Sequence, residues 1–205
     1  PMLNKLNRLD SHSFTKALEQ LVELKSIGIK CLDDKNMRDL IAIVDNLPRR
    51  AACPIVSNNK APVYQDFDLC YNIPKDNLLW CIAKELDAYV KIGMRNLNLI
   101  GHEVFQFNDI IVQYYSPKSR GITPHRDSIR YKFIIAILIL SGDGNFNICD
   151  TRDGAGAKRI PAKPGDLILM AGSNLAGHKL GPIHFMENVT KKRRTIGFRY
   201  DSMDL

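Results

Sequence analysis

The sequence predicts an α+β fold: a double-stranded β-helix (jelly roll) supported by N-terminal helices. Apolar residues recur at helical spacing through the first hundred positions, and short β-rich runs separated by turn clusters fill the rest. No repeat, linker or low-complexity segment divides the chain. The 205 residues suit one domain with a buried core, about 1–102 forming the helical support and about 103–205 the jelly-roll core.

A first helix is predicted around Phe14, Leu18, Leu21 and Val22, with Ser11 or Ser13 as cap and Gly28 as stop. A second runs from Asp33 or Asp34 to about Leu47, carries Met37, Leu40, Ile41 and Val44 on one face, and ends at Pro48. After an irregular stretch with Pro54, Asn58, Asn59 and Pro62, a third starts near Pro74. It carries Leu78, Leu79, Ile82, Leu86 and Val90, and closes at Gly93. These stripes are expected to pack the core. Strands are expected at 109–115, 133–140, 145–149, 158–161, 166–170, 182–189 and 193–200. Turns such as Ser141-Gly142-Asp143-Gly144 and Lys163-Pro164-Gly165-Asp166 part them.

Hydrophobic residues make up 45% and charged residues 25%, a globular balance that argues against disorder. The longest apolar run, Phe133 to Leu140, is too short to cross a bilayer, and no secretory segment opens the chain, so no membrane partner is expected. Cys31, Cys53, Cys70, Cys81 and Cys149 form an odd, scattered set without CxxC spacing. Reduced, mostly buried thiols in a cytoplasmic compartment are expected. The net charge of +7 gathers in Arg120–Lys132 and Lys191–Arg199, which fits either a polyanionic partner or an ordinary solvated basic surface.

His125-Arg126-Asp127 is the most informative segment. Side chains alternate along extended backbone, so His125 and Asp127 point to one side and Arg126 to the other. Such a pair can chelate a divalent ion, although a surface turn could carry the same tripeptide. His184, after Gly181-Pro182-Ile183, offers a third donor from a strand expected two on from Asp127. His178 competes for that place but lies in the turn-like Ala176-Gly177-His178 stretch. Two imidazoles and one carboxylate hold a non-haem Fe(II) on one face and leave the opposite face open for a cosubstrate and oxygen. In the last strand Arg193, Thr195, Gly197 and Arg199 share one face, and Arg194, Ile196, Phe198 and Tyr200 the other. The apolar face is expected against the helices, which turns the arginines inward. Buried arginines need anions: a bound dicarboxylate, or structural salt bridges to Asp or Glu.

Together these residues resemble the Fe(II)- and 2-oxoglutarate-dependent dioxygenases, and within them the AlkB-like group, over roughly Phe107 to Arg199. Phe107-Asn108-Asp109-Ile110-Ile111-Val112-Gln113-Tyr114-Tyr115-Ser116-Pro117 is similar to the strand that opens the AlkB-type core. His125-x-Asp127 follows shortly after, Pro164 to Met170 resembles the Gly-Asp strand before the distal histidine, and Arg193 to Arg199 resembles the closing strand with its two arginines. The resemblance implies Fe(II) on His125, Asp127 and His184, with 2-oxoglutarate and O2 as cosubstrates. It places Arg199 at the chelating end of 2-oxoglutarate, Arg193 at the far carboxylate, and the Tyr115 hydroxyl beside them. Gln113 stands where the family has Asn, one methylene longer. The implied reaction hydroxylates a C–H bond of a second substrate while 2-oxoglutarate becomes succinate.

For that substrate the resemblance implies oxidative dealkylation of an N-alkylated nucleobase in DNA or RNA. Arg120, Arg126, Arg130 and Lys132 near the site agree with a nucleic-acid partner, and the N-terminal segment stands where the family has a lid over the base. Leu47-Pro48-Arg49-Arg50 is similar to a Pro-Arg motif found there, and Tyr64, Phe67, Tyr71 and Trp80 are available for stacking or for core packing. Against this, Ser128-Ile129-Arg130-Tyr131-Lys132 follows the aspartate where such enzymes often carry an acidic residue. A cationic stretch suits a phosphate or carboxylate. The competing expectation is therefore a 2-oxoglutarate-dependent hydroxylase of a small acidic metabolite, an amino acid or a protein side chain. A third, a jelly-roll binding module without redox chemistry, leaves the inward His, Asp and Arg residues without a purpose.

Overall fold

The computed structural model describes residues 4–56 and 61–203, so Asn58 and Asn59 of the expected irregular stretch lie outside the described residues. Helix α1 (Ser11–Leu24) begins where the Asp10 carboxylate accepts the Ser13 amide. The cap is thus Asp10, one residue before Ser11 and three before Ser13, the serines expected in that role. Lys25, left-handed at φ 67, ends the helix by donating its amide to Leu21 O. Gly28 has no part in the stop and lies within strand β1 (Ser26–Lys30). Helix α2 (Asp34–Asp45) is capped by Asp33 and closes two residues before Leu47. Four short strands follow in a region expected to be irregular: β2 (Arg50–Ala51), β3 (Ile55–Val56), β4 (Val63–Asp66) and β5 (Asp68–Cys70). Runs of two to four residues carry no readable period.

Helix α3 (Leu78–Asn96), capped by Asn77, runs past Gly93. That glycine is a packing position. A Cβ there would lie 2.6 Å from Leu18 Cδ1, so its bare backbone is what lets α1 and α3 approach.

The jelly roll follows as β6 (Asp109–Tyr115), β7 (Gly121–His125), β8 (Ile134–Ser141), β9 (Asn145–Cys149), β10 (Lys158–Arg159), β11 (Asp166–Ala171), β12 (Ile183–Glu187) and β13 (Arg193–Arg199). All but β7 lie within two residues of an expected run. They form two antiparallel sheets, a seven-stranded one ordered β1-β11-β8-β13-β6-β5-β2 and a six-stranded one ordered β10-β9-β12-β7-β4-β3.

Alternation along the strands makes two cores. Ile110, Val112, Leu138, Ile196 and Phe198 pack outward from the larger sheet against Leu18, Leu21, Leu86 and Val90 of the helices. Ile111, Tyr115, Ile135, Ile139 and Met170 face inward toward Phe146 and Met186 of the smaller sheet. Each large apolar side chain removed from water contributes about 1.5–3 kcal/mol, so the helices brace the wall of the site with the main stabilising cluster. Cys31, Cys70 and Cys149 are buried, in line with the expectation of mostly buried thiols, while Cys53 and Cys81 are exposed; all five are free. Among the described residues no helix is long and apolar enough to cross a membrane.

Candidate metal centre

Strand β12 inserts between β9 and β7, so His184 sits directly opposite His125. Expected two strands on, β12 is instead the immediate neighbour of β7, because β8 and β11 belong to the other sheet and β9 and β10 lie on the far side of β12. Asp127 lies just past the end of β7 in irregular backbone, yet its carboxylate turns to the same side as His125. Its Oδ1 is 3.6 Å from His125 Nε2 and 3.6 Å from His184 Nε2. Donors about 2.1 Å from a first-row ion lie about 3–3.5 Å apart, and the three donor atoms here lie within 4.8 Å of one another, close enough to contract around one ion. His178 is exposed on the β11–β12 loop and is not among the converging donors.

The rings are oriented for this task. His125 Nδ1 is 2.9 Å from Thr123 O, and His184 Nδ1 is 3.2 Å from Pro182 O. A carbonyl only accepts, so each Nδ1 carries the hydrogen and each Nε2 turns its lone pair to the shared point. Burial, then the neighbouring His125, pushes the His184 imidazole down to about 4, which keeps it neutral, the form able to bind a metal. Burial works against the Asp127 carboxylate, but its polar surroundings, the Arg199 guanidinium among them, hold its carboxyl well below the usual range.

The triad opens on a cavity of about 470 Å³ between the sheets, with Arg193, Thr195, Gln113 and Tyr115 also in its wall. Arg193 is 3% exposed; among the described residues its Nε has no hydrogen-bond partner and its Nη1 reaches only Asp143 O, at 3.4 Å. Burial pushes the guanidinium pKa down. A cation so placed calls for an anion. Opposite it on β6, the Tyr115 hydroxyl donates to Gln113 Oε1 at 3.3 Å, and Thr195 Oγ1 donates to the same oxygen at 3.4 Å. Burial holds the Tyr115 hydroxyl protonated, its pKa pushed up to about 12.

Arg199 differs. Its Nε donates to Asp109 Oδ2 at 2.6 Å, and its guanidinium lies 4.0 Å from the centre of the Tyr131 ring. Nη2 is buried without a hydrogen-bond partner among the described residues. Of the two fates expected for the inward arginines, Arg199 has the structural salt bridge, while Arg193 makes no ion pair among the described residues. Asp109 and Tyr131 did not stand out in the sequence, although Asp109 is the direct register partner of Arg199.

Other expected residues scatter. Arg130 forms a two-pronged pair with Asp201, both contacts at 2.7 Å. Arg120 is exposed, and Arg126 lines the cavity with its Nε donating to Gly181 O at 2.8 Å. Phe67 packs on Tyr115 at 5.1 Å between ring centres, Tyr71 lies in the cavity wall, and Tyr64 is exposed on β4. Trp80 sits on α3 beneath Lys75, 3.9 Å away, with no place in the cavity wall. Arg49 lies 4.4 Å over the Tyr114 ring, and Tyr114 belongs to the helix-facing core.

No protein-family model matches the chain, nor does any curated protein. Solved structures do. A prolyl-4-hydroxylase from Pseudomonas putida superimposes with TM-score 0.67 at 13% identity, covering 92% of this chain and 98% of that one. A prolyl hydroxylase from Trichoplax adhaerens, in complex with a hypoxia inducible factor peptide fragment, gives 0.62 at 14%, covering 94% and 91%. An oxidoreductase of the 2OG-Fe(II) oxygenase family from Burkholderia pseudomallei gives 0.59 at 13%, covering 97% and 93%. At such identities the likeness is one of fold, and it extends over nearly the whole chain: this protein has the double-stranded β-helix architecture shared by these oxygenases.

Proposed function

We propose that this protein is an Fe(II)- and 2-oxoglutarate-dependent dioxygenase that hydroxylates an amino-acid side chain in a peptide or protein. One observation carries the reading. Two imidazole Nε2 atoms and the Asp127 carboxylate converge beside a cavity whose wall holds the buried, unneutralised Arg193. His125, Asp127 and His184 would hold the iron, and Arg193 the far carboxylate of 2-oxoglutarate, with the Tyr115 and Thr195 hydroxyls nearby. Arg199, already paired with Asp109, retains one buried N–H group for the chelating end. Gln113, its amide oxygen already accepting two hydroxyls, shapes this wall.

When bound, the iron and 2-oxoglutarate supply the oxidative chemistry with O2: one oxygen atom enters a substrate C–H bond, the other enters succinate, and carbon dioxide leaves. The chain's own part is orientation and exclusion. The Thr123 and Pro182 carbonyls fix the imidazoles, while Phe67, Ile111, Ile135 and Phe146 keep water from the reacting carbon. The helical half and the jelly roll act as one domain in this reading, and the unpaired cysteines suit a reducing, cytoplasmic setting.

A side-chain substrate is favoured over a nucleobase on two grounds. Two of the structural neighbours are prolyl hydroxylases, one of them bound to a peptide. Of the cations that agreed with nucleic acid, Arg130 is neutralised by Asp201, and Arg49 of the separate Pro-Arg segment lies over the Tyr114 ring of the helix-facing core. The test is aerobic incubation with Fe(II), 2-oxoglutarate and a peptide panel, read as succinate formed and as a peptide mass gain of one oxygen atom. Both signals should vanish in His125→Ala. Formaldehyde release from methylated oligonucleotides, without peptide hydroxylation, would overturn the substrate assignment and restore the AlkB-like one.

A further inference from the structure

We infer that the cavity mouth recognises carboxylate side chains flanking the reacting residue, so that the substrate is an acidic peptide segment. This rests on the side-chain hydroxylase reading for the reaction, but on different residues for binding. The cavity wall contains the four arginines 126, 152, 193 and 199 against one carboxylate, Asp127. Asp127 faces the two histidines, Arg193 is assigned to the cosubstrate, and Arg199 is neutralised by Asp109. Arg126 and Arg152 are left over.

Arg126 is held at one nitrogen only, Nε to Gly181 O at 2.8 Å, and makes no ion pair among the described residues. Its shaft is thereby anchored while both terminal nitrogens remain available, the arrangement that binds a carboxylate through two parallel hydrogen bonds. Arg152 is exposed on the turn between β9 and β10 and has neither hydrogen bond nor ion pair among the described residues. The same turn lies alongside β7, since a Cβ on Gly154 would sit 3.9 Å from Pro124 Cγ, next to His125.

Beside Gln65, apolar and aromatic side chains form much of the mouth. Val56, Val63, Tyr71 and Phe185 line it, and Ile55 and Tyr64 lie exposed on the adjoining β3–β4 pair. Uncompensated guanidiniums on an apolar rim complement a peptide that alternates apolar and acidic residues. A nucleic-acid strand would instead need cations that follow its backbone, and Arg130 and Arg194 are consumed by Asp201 and Asp45.

The experiment measures fluorescence anisotropy of labelled peptides on the full chain, loaded with Fe(II) and 2-oxoglutarate without oxygen. The probes are a Glu-Pro repeat, its Lys-Pro counterpart and single-stranded oligothymidylate. The Glu-Pro peptide should bind at least about ten-fold tighter than the Lys-Pro peptide, with the margin shrinking as salt is raised. Arg152→Glu, on an exposed turn where folding is not at stake, should erase most of that margin and strengthen Lys-Pro binding. Arg126→Gln should also weaken the Glu-Pro complex. Equal binding of the two peptides, an unchanged margin in Arg152→Glu, or tighter binding of oligothymidylate would each overturn the inference. Aerobic conversion of 2-oxoglutarate to succinate by the parent protein is scored separately. Its absence alongside an intact Glu-Pro preference would remove the oxygenase reading and leave the anion-reading mouth standing.

Discussion

His184 lies directly across from His125 in the β12–β7 pairing, and each imidazole donates its Nδ1 hydrogen to the carbonyl two residues before it. The two ring centres are 4.2 Å apart. Two donors are therefore preset by sheet register, and only Asp127 arrives from outside a strand.

Asp127→Ala removes the one anionic donor. With Co(II) as a visible probe, affinity should fall by more than the roughly 10- to 100-fold typical of outer partners, and circular dichroism should be unchanged. Full retention of Co(II) binding would remove the metal centre.

Arg193→Met should separate stability from ligand binding. Losing a bare buried cation is expected to stabilise the ligand-free protein by about 1–3 kcal/mol. The thermal shift produced by 2-oxoglutarate should disappear in the same variant. A larger shift than in the parent would place the diacid elsewhere.

Asp109→Asn should be costly, because it leaves the Arg199 guanidinium buried and uncompensated. The loss is expected near 3 kcal/mol in urea denaturation, and Asp109→Asn combined with Arg199→Met should recover most of it. Simple additivity of the two changes would show that the pair is not coupled.

Asp87 on α3 accepts the Phe107 amide at 2.7 Å, and burial pushes its carboxyl up to about 6 from 3.8. The folded chain holds that proton more tightly than the unfolded one. Its contribution to stability is thus complete below about 3.8 and is lost as pH rises through about 6. Asp87→Asn keeps the acceptor without the charge. It should flatten that slope and gain about 1 kcal/mol near neutral pH, after discounting for solvent screening. An unchanged pH profile would contradict the assignment.

Gly121, at φ 74, begins the strand that ends in His125, and a Cβ there would lie 1.9 Å from Met186 O. Gly121→Ala should cost about 3 kcal/mol or more and weaken Co(II) binding, because relief requires β7 and β12 to part. Near-parent melting and Co(II) titration would show that the clash is relieved without moving the histidines.

The two-faced character of β13 was legible in the sequence because alternation is a local property of extended backbone. Arg193, Thr195, Gly197 and Arg199 line the cavity, while Ile196 and Phe198 enter the helix-facing core, as the pattern requires. The three donors were legible for a similar reason, since few residue types ligate a metal. Gly93 misled because a glycine can end a helix or admit a neighbour, and only the approach of Leu18 from a distant helix distinguishes the two. Tertiary structure alone set His184 beside His125, neutralised Arg199 with Asp109 and Arg130 with Asp201, and left Arg193 bare. The physical reason is that strand character depends on near neighbours along the chain, whereas charge compensation depends on distance through space, which chain order does not encode.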